Sequence, residues 1–198
     1  MSQRLGDIFH TGPNSPTRRK VIAVIGSSAN DLPESQQRFP YYLGKWIAEE
    51  NFHLLTGGGP GVMAAASKGF CSVSSRAGVA IGVIPDGKLE GMYPNAWIEL
   101  PVYTHLEGAN PKGMDSRNHI NIRSSHVIVA FPGGTGTLAE VELAVEQGPA
   151  CSIVLCLREK EMIGGLEADD LRRLGIPIVK DLDAIIEFLK TALVQIGV

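Results

Sequence analysis

The residues His126-Val127-Ile128-Val129-Ala130-Phe131-Pro132-Gly133-Gly134-Thr135-Gly136-Thr137-Leu138-Ala139-Glu140 read as three structures in succession. Val127 to Phe131 is a short, unbroken apolar run, the pattern of a strand covered on both faces. It halts at Pro132 and turns through Gly133, Gly134 and Gly136. Apolar residues then return at helical spacing, at Leu138, Val141 and Val145. A buried strand, a glycine turn and a helix in direct sequence form the repeating unit of a parallel α/β sheet.

The same alternation extends in both directions along the chain. Further strands are predicted over 20–26, 52–56, 79–84, 97–100 and 152–157, beside the one at 126–131. Helices are predicted over 34–50, 61–75, 113–125, 136–147 and 181–195. Pro40 implies that the first helix starts late or kinks. In the last helix Leu182, Ile185, Ile186, Leu189, Leu193 and Val194 recur at helical spacing, with Asp181 placed to cap it. The expected architecture is α/β, a single-domain Rossmann-like doubly wound parallel sheet with helices on both faces. Residues 1–19 lack periodicity and read as a loose N-terminal arm, leaving 20–198 as the folded unit.

Bulk properties narrow the function. The 198 residues carry 18 Lys and Arg against 21 Asp and Glu, a net charge of −3, which argues against a nucleic-acid binder. No stretch reaches the ~18 apolar residues of a membrane span. Thr17-Arg18-Arg19-Lys20 before an apolar run loosely resembles a twin-arginine leader, but that run falls short of the roughly 7–15 residues a leader needs. A cytoplasmic location is therefore expected. Cys71, Cys151 and Cys156 form no Cys-x-x-Cys pair, and the five histidines show no metal-binding spacing, so no metal is expected.

Chemistry is concentrated in three glycine turns at predicted strand ends: Gly26-Ser27-Ser28, Gly57-Gly58-Gly59-Pro60-Gly61, and Pro132-Gly133-Gly134-Thr135-Gly136-Thr137. Glycine allows a backbone to approach a ligand, and the helix that follows aims its unpaired N–H groups at an anion. The glycines with the hydroxyls of Thr135 and Thr137 make a phosphate cradle. No Gly-Lys-Ser/Thr follows, and Gly26-Ser27-Ser28-Ala29-Asn30 is not a dinucleotide fingerprint, so a kinase, an ATPase and a dehydrogenase are disfavoured. Glu140 is expected in the first turn of the helix beside the cradle. A carboxylate there either does chemistry or complements the helix dipole from the side.

Pro132 to Glu140 matches the Pro-Gly-Gly-x-Gly-Thr-x-x-Glu motif, and the chain resembles the LONELY GUY (LOG) family of cytokinin-activating phosphoribohydrolases. Gly57 to Met63 and Val79 to Pro85 resemble two further signatures of that family, and Arg117 stands where it keeps a catalytic arginine. The resemblance implies hydrolysis of the N-glycosidic bond of a nucleoside 5′-monophosphate to free base and ribose 5-phosphate. Arg117 and Glu140 would be catalytic, and Gly26, Ser27, Gly57, Gly58, Gly59, Gly61, Met114, Asn118 and Pro132 to Thr137 would bind the nucleotide. No required cofactor is implied, and a homodimer or higher homo-oligomer is.

Two departures point elsewhere. Asn118 follows the arginine where the family has lysine, and the turn Gly59-Pro60-Gly61-Val62-Met63-Ala64 is one residue short. Both resemble a neighbouring branch that includes molybdenum cofactor carrier proteins. The alternative is thus a non-catalytic carrier or sensor of a small phosphorylated ligand such as the molybdenum cofactor. Tyr93, Trp97 and Tyr103 are candidates to stack a base, Asn121 to line the pocket or face solvent, and Asp115 to cap the 113–125 helix. Lys20, Lys45 and Lys112 offer nothing specific for a pyridoxal-phosphate decarboxylase.

Overall fold

The computed structural model describes residues 18–87, 93–107, 113, 116–148 and 152–196. Seven strands form one parallel sheet: β1 (Val21–Ile25), β2 (His53–Thr56), β3 (Ala80–Asp86), β4 (Leu100–Glu107), β5 (Val127–Ala130), β6 (Ser152–Cys156) and β7 (Ile178–Val179). Their order is β4-β3-β2-β1-β5-β6-β7. The helices are α1 (Glu34–Glu49), α2 (Val62–Cys71), α3 (Asn118–Arg123), α4 (Thr135–Glu146), α5 (Ala168–Leu171) and α6 (Leu182–Gln195).

Alternation along each strand builds two cores. Ile22 and Val24 pack with Val127 and Val129 against Leu43 and Ile47 of α1, Phe70 of α2 and Leu189 of α6. Ala23 and Ile25 face the other way, with Ile128 and Ala130, against Ile122 of α3 and Val141 of α4. The two strands at the centre are therefore buried on both faces, as their uninterrupted apolar runs required. Truncating one of these fully buried isoleucines or leucines to alanine costs about 2–5 kcal/mol. Helices α1 and α2 touch backbone to backbone: a methyl group on Gly44 would overlap the Ala66 carbonyl, and one on Gly69 the Tyr41 carbonyl.

Two histidines fasten strand starts. His126 Nδ1 accepts from the Val21 amide at 3.1 Å, and His53 Nδ1 accepts from the Val79 amide at 3.1 Å. Burial lowers the pKa of both rings, and the positive charges of Arg19 near His53 and Lys20 near His126 lower them further.

Several boundaries differ from the sequence reading. The strand expected over 97–100 begins only at Leu100, because Asn95 bends the preceding residues into a turn, accepting from the Trp97 amide at 3.1 Å. β4 is an edge strand with Pro101 inside it, and Leu100, Val102 and Tyr103 are exposed, so its apolar signal was weak. Helix α1 does not start late, and Pro40 lies buried within it. The 61–75 helix ends at Cys71, and the 113–125 helix begins at Asn118. β7 and α5 span only a few residues each and left no periodic signal. Asp181 does cap α6, accepting from the Ala184 amide at 2.9 Å. Residues 1–17, Met92, Lys112, Met114, Asp115 and Cys151 lie outside the described residues, and with them most of the expected arm.

Candidate functional site

Because β1 and β5 are neighbours whose following helices pack on opposite faces, a crevice opens between their ends. That is the switch point at which doubly wound sheets bind ligands. All three glycine turns meet there. The Ser27 amide donates to the Pro132 carbonyl at 2.9 Å, and the Ser27 carbonyl accepts from the Val62 amide at 2.9 Å. Ser27 is thus the tie between the first turn and the other two, while its hydroxyl accepts from the Ala29 amide at 3.2 Å. Gly61 lies at φ +67°, and a side chain there would strike the Ser27 carbonyl.

The second turn is held from outside. Asn95 donates its amide N–H to the Gly58 carbonyl at 2.7 Å and its Nδ2 to the Gly59 carbonyl at 2.8 Å. Thr56 Oγ1 accepts from the Gly58 amide at 3.0 Å, and Tyr93 covers Gly59. The carbonyls of Gly58 and Gly59 are therefore committed to the scaffold.

The third turn opens α4. Gly134 is its N-cap and supplies no side-chain cap, so the first amides of a twelve-residue helix keep their donor capacity. Thr135 is exposed, Thr137 is buried, and Gly134 and Gly136 face open space where a side chain would project. Gly133 differs from the expectation that every glycine amide serves an anion. Its N–H donates to the Met162 carbonyl at 3.1 Å, and its carbonyl accepts from Gly164 at 2.9 Å. Gly133 contributes space: a methyl group on it would overlap Thr137 Oγ1.

Arg117 and Glu140 come together beside this cradle. Arg117 caps the start of α3, donates from Nη1 to the Val83 carbonyl at 2.8 Å, and lies over Gly57. Its buried Nε has no partner among the described residues. Glu140 sits in the second turn of α4, one turn later than expected, since α4 has no acidic residue in its first turn. Asn121 Nδ2 donates to Glu140 Oε1 at 3.0 Å. Burial pushes the Glu140 carboxyl upward in pKa, opposed by the Arg117 charge and the Asn121 hydrogen bond. Ser116 and Asn118 are buried next to Arg117, with the Asn118 amide donating to Ser116 Oγ at 3.2 Å.

Asn121 is the residue at the site that the sequence left undecided between pocket and solvent. It is fully buried, and its spacing of four from Arg117 puts both on one side of the chain as it enters α3. Asn95, which holds the second turn, carried no sequence signal. On the α1 side of Pro132 a small crevice lined by Ser35, Phe39, Val62, Pro132, Cys156 and Arg158 adjoins the turns, with Arg158 paired to Glu161 at 2.6 Å. Among the described residues no cluster of His, Cys, Asp and Glu is arranged to hold a metal, and no helix is long and apolar enough to cross a membrane.

The model of the SLOG cluster4 family matches residues 19–176. The molybdenum cofactor binding protein of the phototrophic bacterium Rippkaea orientalis is 27% identical, covers 90% of this chain and 99% of its own, and superposes with a TM-score of 0.71. The molybdenum cofactor carrier protein of Chlamydomonas reinhardtii is 30% identical, covers 89% of this chain and 99% of its own, with a TM-score of 0.69. An uncharacterised protein of Archaeoglobus fulgidus is 32% identical over 127 residues, 64% of this chain and 74% of that protein.

Proposed function

The chain belongs to the SLOG cluster4 family, and we propose that it binds a phosphorylated ligand at the switch point and hydrolyses the N-glycosidic bond of a nucleoside 5′-monophosphate. The ligand's phosphate takes the open amides at the start of α4, with the hydroxyls of Thr135 and Thr137. The observation that carries the hydrolytic reading is the setting of Glu140. A half-buried carboxylate beside an anion cradle weakens anion binding, so a site that only held phosphate would be better without it.

Chemistry gives that carboxylate a task. Water bonds to C1′ of the ribose as the C1′–N bond breaks, and the electron pair leaves on the base, which takes up a proton. Positive charge grows on the ribose, and ionised Glu140 stabilises it while orienting the water. Arg117 has Nη1 committed to Val83 and keeps Nη2 for the phosphate or a ribose hydroxyl. No cofactor takes part in this scheme.

The test is a chromatographic assay of AMP, GMP, CMP, UMP and IMP for free base and ribose 5-phosphate. Release that Glu140→Gln abolishes is the expected result; release from none of the five overturns the hydrolase.

A second reading is favoured by the likeness to the molybdenum cofactor proteins at up to 30% identity over nearly their whole length. In it the same cradle holds the phosphate of the molybdenum cofactor as cargo, and Asn118 and the short second turn are the features that resemble the carrier branch. Protection of the cofactor from oxidation by the purified protein supports this carrier, and a decay rate equal to that in buffer rejects it. The resemblance also implies self-association, which light scattering of the purified chain checks.

A further inference from the structure

We infer that Asn121 is the positioning residue for Glu140, holding Oε1 so that Oε2 is the oxygen presented to the reacting water; this rests on the hydrolase reading above. Three observations support it. Asn121 is fully buried, its Nδ2 donates to Glu140 Oε1 at 3.0 Å, and its Oδ1 has no partner among the described residues. A buried amide with an unmet acceptor destabilises a fold, and a leucine of similar size would carry no such penalty. What the amide supplies is compatibility with both protonation states of the carboxyl. Ionised Glu140 accepts from Nδ2. Once Glu140 has taken a proton, a half-turn of the amide lets Oδ1 accept it, and the carboxyl stays where it is.

The reaction needs that tolerance. As the water oxygen bonds to C1′, its proton passes to Glu140 Oε2. The C1′–N bond breaks with its electron pair going to the base, and the proton then leaves Glu140 for the base nitrogen, restoring the carboxylate. The Arg117 charge and the Nδ2 hydrogen bond both favour the ionised form, and turning the amide exchanges that bond for one the protonated carboxyl donates to Oδ1. Among the described residues Arg117 is the charged side chain that acts on Glu140, and Asn121 is the neutral group hydrogen-bonded to it from α3.

The experiment compares Asn121→Ser and Asn121→Asp with the wild type. It follows kcat and KM for AMP across pH, and the titration of the Glu140 carboxyl by carbon NMR. Asn121→Ser, which is too short to reach Oε1, lowers kcat about 10- to 100-fold and leaves KM within about threefold. Asn121→Asp sets a second carboxylate beside the first and moves the acid limb of the kcat profile upward by about one pH unit or more. Folded variants with wild-type kcat and an unmoved Glu140 titration overturn the proposal while the hydrolase stands. A wild type that releases no base overturns the hydrolase instead, and the NMR titration then decides: a Glu140 that titrates alike in all three chains rejects the role of Asn121. Should Asn121→Asp fail to fold, Asn121→Ser and its titration carry the decision.

Discussion

The guanidinium of Arg117 lies over the bare backbone of Gly57, so close that a methyl group on Gly57 would overlap Nη1 and stand 2.7 Å from Nη2. The second glycine turn is thus shaped around an arginine that comes from the far side of the sequence, at the entrance to α3. The hydrogen bond from Nη1 to Val83 fixes one side of the fork.

Gly57→Ala tests that relationship. The added methyl group drives the guanidinium off its seat, so base release falls about 10- to 100-fold, in proportion to the misplacement. Only the end of a flexible side chain has to move, so the melting temperature falls by no more than the lost Nη1–Val83 hydrogen bond accounts for, about 0.5–1.5 kcal/mol. Steady-state kinetics together with a thermal melt read both effects. Full activity in Gly57→Ala would show that the position of Arg117 is immaterial.

Glu140→Gln has a consequence for stability as well as for turnover. Burial raises the carboxyl pKa above its ordinary 4.5, so the folded chain binds the proton more tightly than the unfolded chain. The contribution of Glu140 is therefore fully present below pH 4.5 and is lost as pH rises through the folded value. Glutamine keeps an oxygen that can accept from Asn121 Nδ2 and has no charge to bury. The variant melts higher than the wild type at pH 7–8, and the gap closes toward pH 4.5. Melting curves at both ends of that range check the sign, and an equal or lower melting temperature at pH 7 contradicts it.

The histidines act in the opposite sense. His53 and His126 are held below their ordinary 6.5, first by burial, and each accepts a backbone N–H through a ring nitrogen that must be unprotonated. Their contribution is present above about pH 6.5 and is lost as pH falls through the lowered values. Protonation breaks one hydrogen bond at the start of β1 and one at the start of β3, each worth about 0.5–1.5 kcal/mol. The chain accordingly loses melting temperature between pH 6.5 and pH 5. A His53→Gln, His126→Gln double variant shows less of that slope, and an identical slope in the double variant assigns it to other groups.

The sequence was most legible where one residue type did one physical task. Val127 to Phe131 read as a covered strand and Pro132 to Thr137 as a turn into a helix, so a ligand turn at the end of β5 was readable, while the adjacency of β1 and β5 was not. Edge and short elements were not. The signal of β4 was broken by Pro101 and by side chains that face water, and Trp97 and Ile98 mimicked a strand until Asn95 bent them away. At the site, Glu140 stood out because a carboxylate beside a phosphate cradle needs explaining, and Arg117 only because it stands where the LOG family keeps an arginine. Asn121 did not, since an asparagine on a helix is usually solvated, and only burial against Glu140 gives it a role. Gly133 reads the same as Gly134 and Gly136 in sequence, yet its amide is already spent on Met162.

Gly136→Asp separates ligand binding from folding. Gly136 lies in the first turn of α4, and no atom stands within 4 Å of where its side chain would begin. Aspartate there meets no clash, replaces the least helix-prone residue other than proline, and complements the N-terminal dipole by about 0.3–1 kcal/mol. The variant therefore melts at or above the wild-type temperature. Its carboxylate, however, occupies the place and the charge of the ligand's phosphate. Affinity for AMP falls by about tenfold or more, as expected when an anion must displace a tethered anion from the same amides. Isothermal titration beside a thermal melt measures the two separately. Binding that survives in a stable Gly136→Asp chain places the phosphate away from α4, and with it falls the cradle on which both the hydrolase and the carrier readings depend.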